Sequence, residues 1–86
     1  MAVTLCIPKI SNNTTKYFIK NVFNYHKFGT ISKVNIISRG NIKKAFIHFS
    51  DWNNNEKSIK VKNILDSNLD IKIMFNNVWF WKCVKV

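Results

Sequence analysis

Ile42-Lys43-Lys44-Ala45-Phe46-Ile47-His48-Phe49 is the stretch whose reading decides the fold. Side chains of a half-buried strand alternate between two faces. With Ala45, Ile47 and Phe49 on the buried face, Lys44, Phe46 and His48 face out. Just upstream, Ser38-Arg39-Gly40-Asn41 is a turn, and Ile31 to Ile37 is rich in β-branched residues, so the two runs form a hairpin. Before them, Phe18, Ile19, Val22, Phe23 and His26 to Phe28 have the spacing of a helix with one buried stripe. Ser11-Asn12-Asn13-Thr14 offers N-cap oxygens for its start. Gly29 stands where it can end, because glycine takes positive φ at little cost. Val3 to Ile10 is an apolar strand that runs into a loop at Pro8-Lys9.

Downstream, Asp51 can cap a second, weaker helix with apolar positions at Ile59, Ile64 and Leu65, ending near Asp66-Ser67-Asn68. Leu69, Ile71, Ile73 and Phe75 alternate along a further strand, and Asn76-Asn77 is a two-residue turn that tolerates positive φ. Val78 to Val86 returns as the last strand. Pairing across this turn sets Phe75 opposite Val78, Ile73 opposite Phe80 and Ile71 opposite Lys82. In that phase Val78, Phe80, Val84 and Val86 are buried, while Trp79, Trp81, Cys83 and Lys85 project to the open face. Lys82 is its misfit, reaching water by extending its stem. The opposite phase takes both Trp rings into the core and turns Phe80 and Lys82 outward; the first phase is favoured. The order is β-α-β-β-α-β with a small extra hairpin before the last strand. It predicts a single α/β domain over residues 1–86, an α+β sandwich with a four-stranded antiparallel sheet on two helices.

Eighty-six residues allow one modest core, and apolar content of 47% excludes a disordered tail. No apolar run approaches the roughly 20 residues of a membrane span. Met1-Ala2-Val3-Thr4-Leu5 lacks the start of a signal peptide. Cys6 and Cys83 make neither a disulfide framework nor a zinc set, and two free thiols in a reducing, intracellular setting are expected. The net charge is +10. Abundant Asn, Lys and Ile fit an A+T-rich coding sequence, but such a bias does not remove acids, and only Asp51, Glu56, Asp66 and Asp70 are acidic. The excess points to a polyanionic partner. His26 and His48 have no acid nearby in sequence, and there is no phosphate loop, carboxylate pair or nucleophile motif, so no enzyme and no cofactor is expected.

The element order resembles the RNA recognition motif (RRM) family over nearly the whole chain. Ile19-x3-Phe23 followed by Phe28-Gly29-x-Ile31-x2-Val34 is similar to its helix-end pattern, with four residues between the two phenylalanines where the family usually has two. Leu5-Cys6-Ile7-Pro8-Lys9-Ile10 resembles the family's hexamer, with Cys6 at the exposed aromatic position. Ile42 to Phe49 resembles its octamer, with Phe46 at one exposed aromatic position and Lys44 at the other. Leu5 to Lys9 and Trp79-Phe80-Trp81-Lys82 also look like short RRM-like proteins of large DNA viruses of eukaryotes.

The resemblance implies a ferredoxin-like βαββαβ fold whose open sheet face binds single-stranded RNA, RNA rather than DNA. It also implies a cytoplasmic or nuclear place, or a viral factory or virion. Phe46 is the expected stacking residue, with Trp79 and Trp81 replacing the aromatics absent at positions 6 and 44. Lys9, Arg39, Lys43, Lys44, Lys82 and Lys85 are the expected phosphate contacts, with His48 on the same face. Modest specificity follows from this balance. The alternative is a protein-interaction or homodimerisation domain using the same face; neither reading needs a membrane or a small-molecule substrate.

Overall fold

The elements are β1 (Val3–Ile10), α1 (Lys16–His26), β2 (Gly29–Arg39), β3 (Ile42–Trp52), α2 (Glu56–Asp66), β4 (Ile71–Met74) and β5 (Phe80–Lys85). A computed structural model describes residues 2–76 and 78–86; Met1 and Asn77, the second residue of the expected last turn, lie outside the described residues. The strands form one sheet, all antiparallel, in the order β2-β3-β1-β5-β4. It has five strands where four were expected, because β4 pairs with β5 and takes the edge.

The centre of the sheet follows the alternation read from the sequence. Leu5 lies opposite Ile47, Ile7 opposite Ala45 and Val3 opposite Phe49, and all six are buried. From α1, Ile19 and Phe23 are driven into this layer. The Phe23 ring meets Phe49 edge-on at 5.9 Å and stacks with Trp81 at 6.3 Å. Burying such a ring stabilises the fold by about 1.5–3 kcal/mol.

The helix ends differ from expectation. Thr15 is the N-cap of α1, its Oγ1 accepting from the Phe18 N–H at 3.1 Å, because Ser11 and Thr14 bond each other at 2.8 Å. Lys27, not Gly29, takes the left-handed conformation after the helix, at φ 56°. The two extra residues before Phe28 are thus His26 in the helix and Lys27 in its cap. Gly29 begins β2 opposite Trp52, where a Cβ would lie 2.1 Å from the Asp51 carbonyl oxygen. Its role is close approach of two backbones.

Asp51 does not cap α2; pairing with β2 carries β3 on to Trp52. Asn55 caps instead, its Oδ1 accepting from the Ser58 N–H at 2.8 Å. Ser58 and Leu65 face the sheet, with Val61 half-buried, whereas Ile59 and Ile64 are exposed. Trp52 Nε1–H donates to the Ser58 carbonyl at 2.8 Å, and its ring stacks on Phe28 at 5.4 Å.

Along β5 the last hairpin is in the second of the two phases, but only Trp81 of the two Trp rings enters the core. Ile73 pairs with Trp81, Ile71 with Cys83 and Lys72 with Lys82, one residue further along β5 than expected. The Phe75 N–H donates to the Trp79 carbonyl at 3.2 Å, so the turn holds three residues rather than two. Asn76 Oδ1 accepts from the N–H groups of Val78 and Trp79 at 2.8 and 2.7 Å, an Asx turn that stabilises the longer loop. A one-residue slip turns every side chain over. Trp81 is therefore 5% exposed and Cys83 fully buried, while Phe80 is 41% exposed and Val78 and Val86 lie outside the core. Trp81 packs on Phe18, Phe23 and Phe75, with Phe75 at 4.5 Å. The other phase would bury the Lys82 ammonium in their place, and burying an unpaired charge is far costlier.

Two substitutions check this core by urea unfolding. Phe23→Ala should cost about 3–5 kcal/mol. Ser58→Ala should raise stability by about 1 kcal/mol, since the Ser58 Oγ is buried with no hydrogen-bond partner. A loss of stability in the second variant would contradict the packing of α2 against Trp52 and the sheet.

Candidate nucleic-acid interface

The helices cover one side of the sheet, and register determines what lines the other. Across the row Asn35, Phe46, Cys6 and Val84 are cross-strand neighbours in order. Ile37 lies opposite Lys44, Arg39 opposite Ile42 and Thr4 opposite His48. Gly40 at φ 58° opens the two-residue turn that sets this β2–β3 pairing. Farther along the same side of β5 come Lys82 and Phe80, with Lys72 and Met74 beside them on β4. Of the strand residues only Asp51, beside the buried Trp52 at the end of β3, is acidic. Asp66 is held on α2 by Lys62 and Lys85, whose hydrogen bonds keep its carboxyl below the usual range.

Ile37, Arg39, Ile42, Lys44 and Phe46 line an open cavity of about 440 Å³ at the β2–β3 end of this side. Ile37 and Ile42 are exposed and Phe46 is half-buried, so the cradle has an apolar floor and two cations on its rim. That combination accepts a planar apolar group joined to an anion.

Next to it runs a polar row. Thr4 Oγ1 lies 3.1 Å from His48 Nδ1, and Asn35 Nδ2 lies 3.3 Å from His48 Nε2. An amide nitrogen only donates, so Nε2 accepts and the ring proton sits on Nδ1, donating to Thr4. His48 is thereby held in place with both nitrogens engaged.

Cys6 lies between Phe46 and Val84 and is buried. Burial pushes its thiol pKa up, and the nearby Lys44 ammonium partly opposes this. Cys83, although one strand away, points to the helix side; both cysteines are free. Among the described residues no group of His, Cys, Asp and Glu could hold a metal, and no helix is long and apolar enough to cross a membrane.

Phe46, Lys44, Arg39 and His48 thus come together as expected, with Lys82 on the same side of β5. Lys9 reaches this region from the end of β1, where Pro8, Lys9, Phe80, Trp81 and Lys82 line a cleft of about 300 Å³. Four expected contacts are corrected. Lys43 alternates to the other side, and its Nζ donates to the Asn12 carbonyl at 3.1 Å. Lys85 is bound to Asp66 of α2, and Trp81 is core. Trp79 stays in the turn before β5, 64% exposed, and does not join Phe46. Asn35, Ile37 and Ile42 were not anticipated as parts of the site. Extending the octamer's alternation across the Gly40-Asn41 turn would have found them.

Comparison of the chain with family models, with curated proteins and with solved structures gives no match.

One pH dependence follows from the buried thiol. Burial, chiefly, pushes Cys83 from 9.0 up to about 12, with Cys6 and Asp70 adding to it. Between these values the unfolded chain loses a proton that the folded one keeps. The stability present below pH 9 should therefore fall as pH rises toward 12, by at most about 1.4 kcal/mol per pH unit. In Cys83→Ala this part of the alkaline slope should vanish when unfolding is followed from pH 8 to 11. An identical slope in both proteins would contradict the burial.

Proposed function

We propose that the protein binds single-stranded nucleic acid, RNA in preference to DNA, across the helix-free side of its sheet, and that it is not an enzyme. The observation that carries this reading is the apolar cradle of Ile37, Ile42 and Phe46 rimmed by Arg39 and Lys44, with Lys72 and Lys82 on the same side of the sheet. A base stacks on Phe46, a contact worth about 1–3 kcal/mol, and the two cations take the adjoining phosphates. Asn35 and Thr4 supply polar groups beside the stacked base. Setting aside the edge strand β4, the sheet order β2-β3-β1-β5 supports a ferredoxin-like βαββαβ core, the arrangement on which RRM domains bind RNA. The preference for RNA rests on that resemblance.

A second reading, a protein-interaction or self-association surface, draws on the exposed Ile37, Ile42, Met74 and Phe80 of the same side. A net charge of +10 opposes self-association through a face that carries its own cations.

A titration of labelled single-stranded RNA at 50 and 200 mM salt separates the two. Four phosphate contacts give a slope of about −2.8 in log K against log salt, a loss of roughly 50-fold over that range. Phe46→Ala should cost about 1–3 kcal/mol without changing the slope. Lys44→Ala should flatten the slope by about 0.7. Lys43→Ala and Lys85→Ala, on the helix side, should leave it unchanged. Absence of binding at low salt hands the surface to the protein-interaction reading.

A further inference from the structure

On the helix-free side, β4 and β5 set Lys72 directly opposite Lys82. Like charges directly opposite each other across two strands repel. Neither β4 nor β5 carries an acidic residue, and among the described residues no ion pair holds Lys72 or Lys82. The Lys72 ammonium instead lies over the Phe80 ring, 5.0 Å from its centroid, a cation–π contact that offsets part of the repulsion. Phe80 is a large ring left 41% exposed in a regular strand.

The strands also part here. Toward Phe80, the pairing of β5 with β1 ends at Val84 among the described residues. Pro8 follows on β1, and proline has no N–H to continue a ladder. The cleft that opens has Lys9 on one bank and Phe80 and Lys82 on the other.

We infer that the β4–β5 hairpin is a second nucleotide subsite: Phe80 stacks a base, and Lys72, Lys82 and Lys9 bind the flanking phosphates. This inference rests on the nucleic-acid reading of the sheet. When a base takes the ring face, the Lys72 ammonium moves from ring to phosphate, and the anion removes the Lys72–Lys82 repulsion. Two strand spacings and four residues along β5 separate Phe80 from Phe46, about 16 Å. A dinucleotide reaches one subsite, and a longer strand reaches both.

The test is fluorescence anisotropy with labelled oligouridines of about two and about twelve nucleotides, the longer within the usual range of single-strand sites. The wild type binds the longer strand at least about 10-fold more tightly. Phe80→Ala, and separately the double variant Lys72→Ala/Lys82→Ala, lose about 10-fold on the longer strand and nothing on the shorter, while Phe80→Tyr restores binding. All these positions are exposed, so thermal melting checks that each variant is folded, and the lysine pair carries the test if Phe80→Ala is not. If Phe46→Ala weakens both lengths while the hairpin variants weaken neither, the second subsite is overturned and the first stands. Wild-type protein that binds neither length overturns both.

Discussion

Leu5 faces Ile47 and Ile7 faces Ala45 across the two central strands, and the rest of the molecule depends on that pairing. It places four fully buried side chains under the helices, where Phe23 covers them. Because the side-chain period of a strand is 2, the same register also determines what is turned away from the helices: Cys6 beside Phe46, Thr4 beside His48. A slip of one residue would exchange Ile47 for His48 in the core and strand a charged or polar group there. The outer strands inherit the choice. The tight turn at Gly40 locks β2 to β3, and Cys6 opposite Val84 locks β5 to β1.

The uncovered side is unusual in charge rather than in shape. Cations stand on four of its strands (Arg39, Lys44, Lys72 and Lys82 among them), and none of these four is held in an ion pair among the described residues. Water and salt tolerate such a surface in isolation, but a polyanion gains from it by releasing its counterions. The middle of the surface carries no ring: Cys6 occupies the centre of the row, between Phe46 and Val84. Aromatic contact is therefore displaced to the two flanks, Phe46 toward β2 and Phe80 toward β4. Such a layout favours an extended strand lying across the sheet over a single base held at its centre.

The central half of the fold was legible because its strands obey one rule. Ala45, Ile47 and Phe49 alternate with Lys44, Phe46 and His48, and the structure keeps that order. What failed to be legible depended on atoms that periodicity does not see. Asn76 and Asn77 read as a two-residue turn, yet the Asn76 side chain gathers the N–H groups of Val78 and Trp79 and lengthens it. That one residue moved Trp81 into the core and Phe80 and Lys82 out of it. In α2 the hydrophobic residues Ile59 and Ile64 misled, because Ser58, and neither isoleucine, takes the position against Trp52. Gly29 looked like a helix stop because its other use, letting the Asp51 carbonyl pass close by, depends on a strand more than twenty residues away.

The central proposal, that nucleic acid lies on the helix-free side of the sheet, is tested most directly by NMR. Backbone amide chemical shifts are followed during addition of a single-stranded oligoribonucleotide. The largest changes should fall at Asn35, Ile37, Lys44 and Phe46, with α1 and α2 nearly unmoved. Changes centred instead on the groove between the helices, at Tyr25, Lys57, Lys60 and Ile64, would contradict it.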